Sequence, residues 1–345
     1  MSARPCSLVM LGAMYENGGN TTHRHLDGHP ELFVYPYESQ IGTRLVSDQW
    51  SAMFPAKYRW PVFDLAGAPA GDFHAIIDEE AKIRSRTPNV SKFRDWPFDM
   101  DDNERRDRFV ELTNQYGRTR AGNVLSFFEA TFDCWKDVKR SGSERYWVGY
   151  SPVLVIDAEL ILSELDDAHF VHVVRNPWSA YADTKRRPVP LSLAAYVTQW
   201  VINQHAAHVA AQRFPDRMHI VRFEDVAADS QSALAPLCNA LGIDPSAPSL
   251  QGPTWNGSDL EQVYPWGTIR TPTPEANRAR AEELTAIDRA EVGRLAGRWV
   301  EELGYSDDEP VFTSTSKPTA RQASTRWAVP STFVARMAAA SVCHE

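Results

Sequence analysis

Cysteine is scarce in these 345 residues: Cys6, Cys134, Cys238 and Cys343 stand far apart and form no C-x-x-C pair. That excludes a disulfide framework or a thiolate zinc site as the organising feature. Long apolar runs are missing too. The stretch 7–14 is too short to span a bilayer, and no basic segment and cleavage site surround it as in a signal peptide; a cytoplasmic protein is expected. An excess of positive charge is also absent, since 36 Lys and Arg face 45 Asp and Glu for a formal charge of -9. That sign is wrong for coating nucleic acid or anionic membrane, so neither is an expected partner. There is no internal repeat, and at 43% hydrophobic residues the chain can build one large core or two modest ones.

What is present reads as alternating strands and helices. Leu8-Val9-Met10-Leu11 is continuously apolar, stops at Gly12 and leads through a Gly/Asn-rich turn into a helix start. Two further apolar runs, 169–174 and 218–223, each follow a helical segment, as strands buried on both faces of a parallel sheet do. Leu193, Tyr196, Val197, Trp200, Val201, Gln204 and His208 recur at three- and four-residue steps after Ser192, an N-cap type, and predict a helix over 192–213. Further helices are predicted over about 229–241, stopped by Gly242, and about 282–303, stopped by Gly304. The sum is an α/β fold with a P-loop-like central parallel sheet flanked by helices, over residues 1–306. Within it, about 55–145 lacks strand signals and reads as a mainly helical insertion walling a cavity, with helical pieces at 103–116 and 122–139. From 307 to 345 the chain is Ser/Thr/Pro-rich and carries Lys317, Arg321, Arg326 and Arg336 without an acid between Thr313 and Ala340, which reads as a solvated basic tail.

A strand, a Gly/Asn-rich loop and a helix start make an arrangement that cradles phosphate, because free backbone N–H groups and the helix dipole attract an anion. Gly18, Gly19, Asn20, Thr21 and Thr22 supply the small and hydroxyl-bearing residues. The ATPase pattern G-x-x-x-x-G-K-[ST] is absent, which argues against an ordinary ATP or GTP hydrolase. Alternate spacing on the helix points His23 and His25 apart, so no metal site is expected, and this helix start is expected to be simply polar.

Four motifs follow in order: Leu26-Asp27-Gly28-His29-Pro30-Glu31, Gly149-Tyr150-Ser151-Pro152, His172-Val173-Val174-Arg175-Asn176-Pro177 and Arg222-Phe223-Glu224-Asp225. Their order and spacing over about 7–305 resemble the sulfotransferase family. The resemblance implies in-line transfer of a sulfuryl group from 3′-phosphoadenosine 5′-phosphosulfate to a hydroxyl or amine of a small-molecule acceptor, with no metal. It implies Arg175 as the grip on the donor's 3′-phosphate and Glu38, after His29-Pro30, as the base. Against the family pattern, the loop offers Tyr15, Glu16 and Asn17 where a Lys or Arg is usual, Tyr150 stands where a Lys precedes Ser-Pro, and Asp183 stands eight residues beyond Arg175, where a serine is common. Replacement groups are at hand in His23, Arg24 and His25, in Lys185, Arg186 and Arg187, and in Arg270. His23 is the second candidate for proton transfer, and Arg24, Asp183 and Arg270 join the loop and Arg175 as candidate donor contacts. Core packing is expected for most tryptophans, including Trp60, Trp96 and Trp135. The alternative reading is a sulfotransferase-like binding or regulatory protein, or an enzyme of this fold with another activated donor; homo-oligomerisation is left open.

Overall fold

Strand β1 (Ser7–Ala13) buries Val9, Met10, Leu11 and Ala13 completely, as a strand must that lies at the centre of a sheet covered on both sides. The computed structural model describes residues 4–91, 93–260 and 273–305; Arg270 and the basic tail from 307 onward lie outside the described residues. After β1 come α1 (Gly19–Leu26) and β2 (Leu32–Val34). Then, without a further strand among the described residues before β3, follow α2 (Pro69–Ala75), α3 (Glu79–Arg86), α4 (Asp102–Tyr116) and α5 (Arg120–Cys134). Strand β3 (Tyr146–Tyr150), α6 (Ala158–Glu164), β4 (His169–Val174), α7 (Pro177–Thr184), α8 (Leu193–Arg213) and β5 (Met218–Arg222) complete the sheet, and α9 (Phe223–Ala228) and α10 (Ser230–Leu241) return over it. A two-stranded hairpin, β6 (Thr254–Trp255) and β7 (Ser258–Asp259), precedes α11 (Pro274–Glu282), α12 (Ala286–Ala296) and α13 (Arg298–Glu302).

The five-stranded sheet has the order β2-β3-β1-β4-β5, and every neighbouring pair is parallel. Leu8 and Met10 face Phe127 and Phe128 of α5, while Val9 and Leu11 face Leu26 of α1 and Leu234, Leu237 and Leu241 of α10. A third apolar cluster joins Trp178, Tyr196, Trp200, Val292 and Trp299 of α7, α8, α12 and α13. Each fully buried large side chain stabilises by about 1.5–3 kcal/mol. Trp60 and Trp135 lie in the first cluster and Trp96 packs against it. The order of the strands matters for function: the connection after β1 leaves toward β2 on one side, and that after β4 leaves toward β5 on the other. A crevice opens outside the carboxyl ends of such a pair, and ligands of parallel sheets bind there.

Two predicted helices differ. The piece expected over 122–139 is α5, which starts at Arg120 behind the Thr119 cap and ends at Cys134. Over the predicted 282–303, α12 stops at Ala296 because Gly297 takes φ 52°, and α13 restarts at Arg298.

Candidate active site

At the β1 end of the crevice the chain turns through Met14 to Gly18 into α1. Glu16 and Gly18 have φ of 60° and 81°, so the loop is a sharp left-handed turn in which Gly18 is required twice over: a Cβ there would lie 2.0 Å from the Phe223 ring. A Cβ on Gly19 would lie 2.4 Å from the Tyr150 ring. Tyr150, where the family pattern has a lysine, is thus the floor under the helix start. No side chain caps α1, and the first N–H groups of a helix have no intrahelical acceptor. Asn20 and Thr21 are half-buried there, while the Thr22 hydroxyl turns back to donate to the Gly18 carbonyl at 3.1 Å.

Asn17 fixes this loop to the other half of the crevice. It is buried; its Nδ2 donates to the Tyr15 carbonyl and to Tyr196 Oη at 2.9 Å each, and its Oδ1 accepts from the Arg175 backbone at 3.0 Å and Trp200 Nε1 at 3.2 Å. Arg175 follows β4 directly. Its guanidinium donates to the Glu16 carbonyl at 2.9 Å, Asn277 Oδ1 at 2.6 Å and Asp183 Oδ2 at 2.8 Å, and lies over the Phe223 ring. Asp183 also faces Arg280 at 3.4 Å, so its carboxylate lies between two guanidinium groups. Glu224 supports this array from behind: Oε1 accepts from the Asn176 backbone and side chain and from Asn277 Nδ2, and Oε2 accepts from Tyr305.

Glu38 reaches the same end of the sheet along another path. After β2 the chain stays pinned to β3 through Tyr35 N to the Val148 carbonyl at 2.8 Å and Ser39 N to the Tyr150 carbonyl at 2.6 Å, which leaves Glu38 half-buried beside the carboxyl end of β3. Tyr58 donates its hydroxyl to Glu38 Oε2 at 3.2 Å and sets its ring edge-on to Tyr15 at 6.2 Å. Burial raises the Tyr58 phenol above its ordinary range, with the Glu38 charge adding to the shift, and pushes Tyr15 up to about 12. Tyr58 therefore stays a protonated donor to Glu38.

The charged run at the helix start sits elsewhere. His23, Arg24 and His25 are 0%, 2% and 1% exposed, so this is not the polar helix start expected; α1 is short and enclosed by β3, the β6–β7 hairpin and α9. His23 Nδ1 accepts from Arg24 Nη2 at 2.9 Å, and burial with the Arg24 charge holds its pKa well below the ordinary value. A neutral ring with no accessible surface is interior structure. Arg24 donates to the Tyr35 carbonyl at 2.6 Å and lies over Trp255. Of the second run, Lys185 pairs with Asp288 at 3.0 Å and Arg186 donates twice to Glu283 at 2.7 Å. Cavities of about 270 and 340 Å³ lie beside Asp27–Val34 and beside His25, and neither is lined by Arg175 or Glu38. The partners Asn17, Asn277, Glu224 and Tyr58 carried no role in the sequence reading; single polar residues far apart in the chain have no periodic signal, and only the motif around Glu224 could have pointed to one.

A Gly/Asn-rich turn and an arginine stand at the switch point of this parallel α/β sheet, the place where ligands of such sheets bind. The sulfotransferase family model matches residues 64–247, more than half of the chain, and the chain belongs to the sulfotransferase family. Among solved structures it is similar to the sulfotransferase domain of the Synechococcus PCC 7002 olefin synthase, with 17% identity, 88% of this chain and 97% of that one covered, and a TM-score of 0.54; the two share the fold. Two others are the sulfotransferase domain from the curacin biosynthetic pathway (14% identity, 88% and 99% covered, TM-score 0.48) and a sulfotransferase from Mycobacterium avium (11%, 87% and 77%, 0.43). A search of curated proteins found no significant match. No helix among the described residues is long and apolar enough to cross a membrane.

Proposed function

We propose that this sulfotransferase moves a sulfuryl group from 3′-phosphoadenosine 5′-phosphosulfate to a hydroxyl or amine of a small-molecule acceptor in the cytoplasm, in-line and without a metal. One observation carries the reading: the uncapped helix start, Arg175 and Glu38 stand together at the carboxyl ends of β1, β4 and β3, joined through Glu16, Tyr15 and Tyr58. The loop and the first turn of α1, Gly18 to Thr22, receive the donor's phosphosulfate. Arg175, with Asn277 holding its Nε, receives the 3′-phosphate. Glu38 takes the proton of the attacking hydroxyl as the oxygen–sulfur bond forms and the bond to the bridging oxygen breaks, its electron pair remaining on the 5′-phosphate. Tyr58 orients that carboxylate.

A second reading, another activated donor, draws on the Asp183 carboxylate already lying on Arg175. Calorimetric titration with adenosine 3′,5′-bisphosphate separates the two: micromolar binding supports the first, and no binding by folded protein sinks it.

A further inference from the structure

The donor loop has no Lys or Arg of its own from Met14 to Thr22, and Tyr150 is spent as the floor beneath Gly19. A sulfuryl group in transfer nevertheless spreads negative charge over its oxygens and the leaving phosphate, and a cation fixed beside it adds to what the loop's N–H groups supply. Of the three consecutive cations after α7, Lys185 and Arg186 are tied to carboxylates of α12 and of the segment after α11. Arg187 differs. Its guanidinium carbon lies 4.8 Å from the centre of the Tyr15 ring, and its Nε makes a long ion pair with Glu16 Oε1 at 3.8 Å. The guanidinium makes no hydrogen bond among the described residues, and the side chain is 36% exposed.

Tyr15, on which Arg187 rests, is the ring that meets Tyr58, and Tyr58 holds Glu38. Arg187 thus rests on the ring that leads through Tyr58 to Glu38, whereas the Arg175 guanidinium is tied by Asp183 and Asn277. We propose that Arg187 is the cation of this site for the sulfuryl end of the donor, supplied across the crevice from the α7–α8 connection in place of a loop lysine. The inference rests on the donor reading above. In the transfer the acceptor oxygen bonds to sulfur, its proton passes to Glu38, the sulfur–oxygen bond to the 5′-phosphate breaks, and Arg187 neutralises charge on the sulfuryl oxygens without itself exchanging a proton.

The test needs no acceptor. Affinities for the intact donor, 3′-phosphoadenosine 5′-phosphosulfate, and for adenosine 3′,5′-bisphosphate are measured by calorimetry on the full chain and on Arg187→Met, Arg187→Lys and Arg186→Met. Arg187→Met is expected to weaken the intact donor by about 10- to 100-fold, the usual worth of a charge-assisted contact, and the bisphosphate by less than about 3-fold, with Lys restoring part of the loss. Arg186→Met should leave both within about 3-fold. Equal losses for the two ligands would make Arg187 a mere prop of the loop, and no loss for either would also overturn the proposal while leaving the donor reading intact. If the folded wild-type chain binds neither ligand, the donor reading falls and this inference with it.

Discussion

Asp183→Asn isolates a charge while keeping a shape. The asparagine retains an oxygen for Arg175 Nη1, which donates to Asp183 at 2.8 Å, but removes the negative charge that now lies between Arg175 and Arg280. If the donor's 3′-phosphate comes to Arg175, it must lie within about 5 Å of that carboxylate. Two unit charges at such a distance interact by about 2 kcal/mol at an effective dielectric between that of a protein surface and of water. Asp183 is 23% exposed, so salt takes part of this away, and an expected gain of about tenfold in affinity for adenosine 3′,5′-bisphosphate follows. Adenosine 5′-monophosphate, which lacks the 3′-phosphate, should gain less than about twofold. The assay is paired calorimetry of both nucleotides at low and at physiological salt, where the bisphosphate gain should shrink as salt rises. An equal gain for both nucleotides, or a loss for the bisphosphate, would refute the placement of the 3′-phosphate beside Arg175.

Glu38→Gln should keep bisphosphate affinity and lose about 10²- to 10⁴-fold in single-turnover transfer to a phenol, because an amide cannot take the proton; a rate within a few fold of wild type would make Glu38 structural. Gly18→Ala should cost about 2–4 kcal/mol in urea unfolding, from the φ of 81° and the Phe223 ring 2.0 Å from the new Cβ, and a loss under about 0.5 kcal/mol would contradict the loop geometry. His172 is fully buried, and desolvation lowers its pKa from 6.5 to about 4. The unfolded chain therefore binds a proton there that the folded one does not, and stability is whole above pH 6.5 and falls as pH drops toward 4. The loss at this residue is on the order of 3 kcal/mol; a His172→Gln chain should show a flatter decline between pH 6.5 and 4.5, and an unchanged slope would rule the residue out.

The strands at the centre were legible because burial on both faces writes itself as an unbroken apolar run: 169–174 coincides with β4, and β1 and β5 fall on their runs. The helices with caps were legible too, α8 from Ser192, whose hydroxyl accepts from Ala195 at 3.3 Å, and α10 to Gly242 with φ 65°. Strand β2 was not, since three residues carry no period, and β3 hid behind the glycine that Phe128, Met10 and Ser39 crowd. At the site, sequence order pointed to the loop, Arg175 and Glu38, but a histidine on a short helix reads the same whether it faces solvent or β3. Only packing shows that His23 is enclosed.

The three departures from the family pattern look independent in sequence and are adjacent in space. Tyr150 lies under Gly19, Asp183 holds Arg175, and Arg175 holds the Glu16 carbonyl of the loop on which Arg187 rests. Groups that share partners in this way do not contribute additively. Restoring one family residue at a time therefore tests a different molecule from restoring all three: Tyr150→Lys alone would bury an ammonium against the helix start and withdraw the ring from Gly19, where desolvating an unpaired charge costs several kcal/mol. The departures read physically as one rearranged set around a single loop, with the Asp183 carboxylate on Arg175 and the Arg187 guanidinium beside Tyr15 and Glu16.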